Sequence, residues 1–373
     1  MPMKVLILGS KEYPIGSNKG EDPIPSGGME LYTENLVKEL KRYHDLETII
    51  ITRKFRGTKT YEESGNLEIF RVSYNRGVYF RNPTFNFMAL LRALKTDFDV
   101  IITNGDIANV LGLFLSRIKR KPIIMVCHGI ASEQPQYNLL LKFLFRIMEK
   151  SAYSKADAVI THSPHQVKRL AKKYDIVLPG LDRDRLEKVN KDAVKSIKAQ
   201  YKTENKRVIL FTGRQVKVKG LEYLIKALPM VKTDYVCFIV GDGPSKKEYQ
   251  NLAKELGVNA VFTGFRKDVQ NFLSFADVFV LPSVGGESLN YSMLEAAYMK
   301  VPIVVSDLKI LPDNYGIIVP KRDEKSIASA INEILGSEKL RRQITENAYE
   351  YTKKFSWEKA GKEYYNIIKR FER

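Results

Sequence analysis

Cysteine is nearly missing from this chain: two, Cys127 and Cys237, stand among 373 residues. Each sits inside an apolar run and reads as a buried, reduced thiol of a cytoplasmic protein, so no disulfide framework is available to hold the fold. Long apolar runs are missing as well. None approaches the ~18 residues that cross a bilayer, and the short apolar segment in MPMKVLILGS reads as a first β-strand, not an export signal. There is no zinc module and no aromatic-interleaved basic motif, which removes nucleic acid from the expected partners. A Walker A loop is absent too, since G-x-x-x-x-G-K-[ST] occurs nowhere. His162 and His165 lie three apart without a third ligand nearby, so no metal is assigned.

What is present begins with length and charge. The chain is too long for one ordinary core and suits two domains of roughly 150 to 200 residues. Its 44% hydrophobic and 28% charged content is that of a soluble globular protein. The net charge of +18 is spread evenly, with 30 Lys/Arg against 21 Asp/Glu in residues 1–190 and 31 against 22 beyond. Local clusters stand out at Arg117, Lys119, Arg120 and Lys121, and at Lys168, Arg169, Lys172 and Lys173. Clusters of this kind suit anionic phosphates or an anionic membrane face; a lysine-rich solvated surface accounts for them equally well.

Short apolar runs alternate with helical patterns from end to end, which predicts βα units and parallel sheets buried on both faces. One series runs from Val5–Leu8 to Ile123–Cys127 and a second from Val208–Phe211 to Val301–Val305. The stretch from Lys155 to Ser163 is echoed by Phe275 to Ser283: a helix end, an Ala-Asp turn, and a strand ending in Ser. The echo suggests two domains of one architecture, with the boundary shortly after Pro179-Gly180. The expected division is 1–180, 181–356 and a final amphipathic helix, 357–373, whose apolar stripe carries Trp357, Ala360, Tyr364, Ile367 and Ile368. Within Asn138–Lys150, Lys142, Arg146 and Lys150 recur every four residues. Either that helix lies on a membrane interface, or it packs on the sheet with only the basic ridge wet; the second is slightly preferred.

Five stretches carry candidate chemistry. Glu287 lies in a turn after the strand ending at Leu281, and Glu295 follows eight residues on, inside a helix beginning near Asn290. The N–H groups of Asn290, Tyr291 and Ser292 at that helix start would meet an anion, with the two carboxylates accepting from hydroxyls on either side. Gly27 and Gly28 precede another helix and allow close approach of a ligand. Arg214 and Lys219 lie in a short loop between a strand and a helix, where a guanidinium fork and an ammonium together neutralise a diphosphate. Val240-Gly-Asp-Gly-Pro244 is a strand-end turn near the ligand. His128 follows the strand Ile123–Val126, at the end where open α/β sheets bind ligands.

Taken in order, Gly-Gly-x-Glu from Gly27, His128-Gly129, Gly213-Arg214-x4-Lys219-Gly220, Val240–Pro244, the loop Gly264–Val269, the strand Ala276–Ser283, and Glu287-x7-Glu295 before Pro302–Ser306 resemble the retaining nucleotide-sugar glycosyltransferases of family 4. The resemblance covers nearly the whole chain. It implies the α/β GT-B fold: two doubly wound Rossmann-like domains facing a cleft, with the C-terminal helix returning to the first. Residue by residue, it implies that Arg214 and Lys219 hold the diphosphate, Glu295 the ribose, and that Glu287 and His128 lie by the transferred sugar. Gly28 would meet a phosphate, and Gly264, Phe265 and Arg266 the nucleobase. No metal or other cofactor is implied; the nucleoside-diphosphate sugar is the donor substrate, and a glycan or lipid-linked molecule the acceptor. Peripheral contact with an anionic membrane is compatible with it. After Glu287 the family's Gly-Phe-Gly is replaced by Ser288-Leu289-Asn290. A GT-B epimerase or phosphorylase, or a catalytically silent sugar-nucleotide or glycan-binding protein, would share these residues.

Overall fold

The computed structural model describes residues 1–18, 27–77, 80–133, 137–163, 167–285, 289–308 and 314–372. The chain divides into two compact units. Unit 1 holds the residues up to Gly180 and takes the chain back at Phe355; unit 2 runs from Leu181 to Lys354.

Unit 1 is built from β1 (Met3–Leu8), α1 (Gly28–Leu40), β2 (Leu46–Arg53), β3 (Tyr61–Ser64), β4 (Leu67–Val72), α2 (Arg81–Leu94), β5 (Val100–Asn104), α3 (Asp106–Lys119), β6 (Ile123–Cys127), α4 (Leu139–Lys155), β7 (Ala158–Thr161) and β8 (Asp175–Ile176). Its eight strands lie in the order β3-β4-β2-β1-β5-β6-β7-β8, all parallel except β3 against β4. Chain order thus reverses between β1 and β5. Unit 2 comprises α5 (Arg183–Glu187), α6 (Lys191–Gln200), β9 (Arg207–Thr212), α7 (Leu221–Ala227), β10 (Tyr235–Val240), α8 (Lys246–Glu255), β11 (Ala260–Gly264), α9 (Val269–Leu273), β12 (Val278–Leu281), α10 (Tyr291–Tyr298), β13 (Ile303–Ser306), β14 (Ile317–Val319), α11 (Glu324–Gly336) and α12 (Glu338–Thr352). Its six strands run β11-β10-β9-β12-β13-β14, all parallel, with the reversal between β9 and β12. Apart from Lys4 in β1, these central strands are buried throughout, as near-continuous Val/Ile/Leu runs covered on both faces must be.

The sequence echo has a structural cause. Asp157 accepts from the Ile123 N–H (2.9 Å) and Asp277 from the Val208 N–H (2.7 Å), each pinning the start of its strand to the neighbouring one. Asp99 does the same for Lys4 (2.9 Å). Each carboxylate satisfies a backbone donor that the parallel ladder leaves over at its entrance.

The last helix, α13 (Trp357–Lys369), belongs to unit 1 and packs on α1. Its buried face contains Trp357, Ala360, Tyr364, Ile367 and Ile368, the stripe expected from periodicity, and adds Gly361. The Tyr364 and Tyr32 hydroxyls share a hydrogen bond of 2.5 Å at the centre of that contact. For α4 the slightly preferred expectation, a helix packed with only a basic ridge wet, is overturned. Leu139, Leu140, Phe143, Leu144, Ile147 and Met148 are all exposed, because the helix touches its unit mainly through Glu149, Ala152 and Tyr153 near its C-terminal end.

At Gly361 an added Cβ would stand 2.6 Å from the Glu39 Cβ. Gly361→Ala is therefore expected to destabilise unit 1 by about 1–3 kcal/mol through overpacking, read as a lower urea midpoint; an unchanged midpoint would mean that α13 does not dock as closely as described.

Candidate functional site

In unit 2 the carboxyl ends of β9 to β12 carry the loops that hold the described candidate residues. β9 ends at Thr212, and Gly213, Arg214 and Lys219 follow before α7. Arg214 is exposed and Lys219 half-buried. This loop is tied to the one after β12 by the Val284 N–H donating to Val218 O (2.8 Å). The tie depends on Gly220, at φ +62°, where a Cβ would fall 2.1 Å from the Pro282 carbonyl oxygen. Next along the sheet, Gln215 donates from Nε2 to the Gly241 carbonyl (2.7 Å) and from its N–H to the Asp242 carbonyl (2.9 Å), joining the loops after β9 and β10. Burial works to raise the Asp242 carboxyl, but Lys246 at 2.8 Å and the Gly243 N–H at 2.8 Å outweigh it and hold it below its usual range. Beyond β11, Gly264 has φ +73° and Phe265 is 49% exposed. Arg266 is engaged with Asp268 through two bonds, Nε to Oδ1 (2.8 Å) and Nη2 to Oδ2 (2.6 Å).

Helix α10 starts at the carboxyl side of β12, at the strand-order reversal. Asn290 is its N-cap and accepts from the Met293 N–H (3.2 Å), a role that asparagine commonly fills at a helix start. Tyr291 and Ser292 form the first turn. Glu295 is buried one turn on, and its Oε1 accepts from Arg185 Nη2. Burial pushes the Glu295 carboxyl up, and the Arg185 guanidinium opposes the shift. Arg185 itself is presented by the five-residue helix α5, whose N-cap Asp182 accepts from the Arg185 N–H (3.1 Å). A second bond, Tyr298 to Glu187, fastens α5 to α10. Sequence reasoning missed Arg185, which lies 110 residues from its partner. The only local signal is the charged run Asp182-Arg-Asp-Arg185 just past the domain boundary. Glu287 lies outside the described residues, as does His165.

In unit 1 the matching edge holds His128, Asn104 and His162 at the ends of β6, β5 and β7. His128 Nε2 is 2.9 Å from Asn104 Oδ1, and His162 Nδ1 donates to the Val177 carbonyl (2.8 Å). The two imidazoles stand 5.3 Å apart between centroids, each within 5.0 Å of the Tyr32 ring. Burial holds His128 well below the usual imidazole value and His162 at about 4, so both are neutral at pH 7. Gly28 is exposed at the start of α1, where Glu30 Oε2 accepts the Gly27 N–H (2.9 Å). Among the described residues no group of three or more His, Cys, Asp or Glu side chains is placed to hold a metal ion.

A histidine kept neutral by burial makes the folded state bind fewer protons than the unfolded one. Stability from His162 is therefore fully present above about pH 6.5 and declines as the pH falls towards about 4. Thermal unfolding across that window should show a shallower decline for His162→Gln than for the parent; an identical pH dependence would contradict the burial of a neutral imidazole.

Residues 26–185 match the family described as Glycosyltransferase Family 4, and residues 193–351 match Glycosyl transferases group 1. An uncharacterised glycosyltransferase of Methanocaldococcus jannaschii is 26% identical, over 92% of this chain and 95% of its own. A D-inositol 3-phosphate glycosyltransferase of Corynebacterium aurimucosum is 24% identical, over 98% and 95%. Among solved structures, Anabaena HepE in complex with UDP and glucose superposes with a TM-score of 0.79 at 20% identity, covering 99% of this chain and 100% of that one. With both halves matched by glycosyltransferase families and the fold shared from end to end, the chain belongs to the family 4 glycosyltransferases and has the GT-B fold.

Proposed function

We propose that this glycosyltransferase moves a sugar from a nucleoside-diphosphate donor to a hydroxyl of a glycan or lipid-linked acceptor, with retention of configuration and without a metal ion. The observation that carries this reading is the convergence, on one sheet edge of unit 2, of the basic loop after β9, the Asn290-capped start of α10 and the buried Glu295. Arg214, Lys219 and the N–H groups of Asn290, Tyr291 and Ser292 neutralise the departing diphosphate, supplying the positive charge that a divalent cation supplies elsewhere. Glu295 accepts from the ribose hydroxyls. Arg185 aims that carboxylate and opposes the upward push that burial gives it. Gly264, Phe265 and Arg266 border the base, and Glu287 and His128 are assigned to the transferred sugar, with the Gly28 N–H towards a phosphate.

In the reaction the bond between the anomeric carbon and the phosphate oxygen breaks while the acceptor oxygen bonds to the same face. The acceptor proton passes to the leaving phosphate, so no separate base is required. His128, neutral and bound to Asn104, serves as a hydrogen-bond partner and not as a cation. The relative solved with UDP and glucose supports the donor class, and the relative named for D-inositol 3-phosphate supports a hydroxyl acceptor. Buried thiols at Cys127 and Cys237 suit a reducing, cytoplasmic setting.

A panel of sugar nucleotides, followed for product and for binding, tests this reading. Transfer or slow donor hydrolysis is expected with at least one, and binding without either would favour the silent protein. The product's anomeric configuration by NMR should equal the donor's, and turnover should survive EDTA. Lys219→Ala is expected to lower turnover by about 10²–10³-fold, the scale of removing one preorganised donor, with an unchanged unfolding midpoint. Unaltered turnover would remove the diphosphate assignment.

A further inference from the structure

In unit 1, α2, α3 and α4 lie side by side, α3 packing against both of the others. The outward face of this layer is apolar on all three helices. Phe87, Met88 and Leu91 are exposed on α2, and Ile107, Phe114 and Ile118 on α3, each set at helical spacing. On α4, Leu140, Phe143, Leu144 and Ile147 continue it, with Phe143 61% and Leu140 67% exposed. Most of the large apolar side chains exposed among the described residues sit on these helices or at the α2 cap, Phe80. Monomeric soluble proteins rarely leave so extended an apolar surface uncovered.

The exposed charge carried by the three helices themselves has one sign. Helix α2 contains no carboxylate, α3 has Asp106 alone and α4 has Glu149 alone. Glu149 is buried and accepts from the Ser132 hydroxyl (2.6 Å) and N–H (3.2 Å), while Asp106 is half-buried at the α3 start. The fully exposed charges on the three helices are all basic: Arg117, Arg146, Lys150 and Lys155. At 100° per residue, Lys142, Arg146 and Lys150 run down one border of the α4 apolar face. No described helix is long and apolar enough to cross a membrane.

We propose that the outer face of α2, α3 and α4 docks on an anionic lipid bilayer, with its apolar side chains at the acyl boundary and the basic border on the phosphates. An apolar face whose own helices expose only cations fits this occupant. A second copy of the chain would set the same cations against one another, and a neutral protein surface would leave them unpaired. The docking goes beyond the transfer reaction and does not depend on it.

Sedimentation with phosphatidylcholine vesicles containing phosphatidylglycerol, against phosphatidylcholine alone, is the test. The full chain should pellet with the anionic vesicles, weakly with the neutral ones, and progressively less as salt is raised. A Phe143→Glu, Ile147→Glu double variant should lose at least tenfold in partitioning at unchanged circular dichroism and unfolding midpoint. Lys142→Glu with Arg146→Glu should lose the preference for anionic lipid. Failure to pellet with anionic vesicles would overturn the proposal, as would light scattering that shows a dimer converted to monomer by the Phe143, Ile147 variant. Donor turnover without vesicles is measured in parallel. A chain that turns over donor but ignores vesicles loses the docking and keeps the transferase reading; one that binds vesicles but leaves donors intact does the reverse.

Discussion

Two backbone approaches, one in each sheet, fix the loops at the strand-order reversals. At the strand-order reversal of unit 1, a Cβ on Gly9 would lie 1.9 Å from the Asn104 carbonyl oxygen; at that of unit 2, a Cβ on Gly220 would lie 2.1 Å from the Pro282 oxygen. Both glycines have positive φ. Parallel strands connected in opposite directions from a reversal point open a crevice there, and glycine lets the chains flanking it close to backbone contact. Several candidate groups of unit 2 stand on loops next to that point. Arg214 and Lys219 follow β9, the Asn290 cap follows β12, and the Gln215 bonds bring in the loop after β10.

The units share this frame and differ in electrostatics. Unit 2 gathers cations and a buried carboxylate that an arginine from another helix opposes, an arrangement suited to a charged ligand with hydroxyls. Unit 1 places two imidazoles, an asparagine and a tyrosine ring at the matching edge, and burial removes their charge. Such a set can donate and accept hydrogen bonds near neutral pH without attracting ions. One architecture thus carries a polar neutral set of side chains in one unit and a charged set in the other, both at strand ends.

Much of this was legible in the sequence because parallel sheets advertise themselves. Strands buried on both faces must be continuous apolar runs, so Val5–Leu8, Ile123–Cys127 and Val278–Leu281 declared their places. The repeated Ala-Asp turn at Asp157 and Asp277 announced a shared device whose use, capping an N–H at the start of the adjacent strand, became visible only with both strands in place. The helix stripe of α13 followed from period alone, whereas its glycine contact with Glu39 did not. Periodicity misled for α4, since an apolar pattern says that a helix wants cover without saying whether the protein provides it.

By itself, the sequence determined the two-domain parallel architecture, the family and the roster of candidate residues, because apolar period, glycine placement and strand-end chemistry are local properties. Only the tertiary structure decided that Arg185 meets Glu295, that His128 and His162 are neutral beside Tyr32, and that α2, α3 and α4 present one apolar face with a basic border. Those outcomes depend on burial and on partners tens to hundreds of residues away, and neither quantity is written in any single stretch of chain.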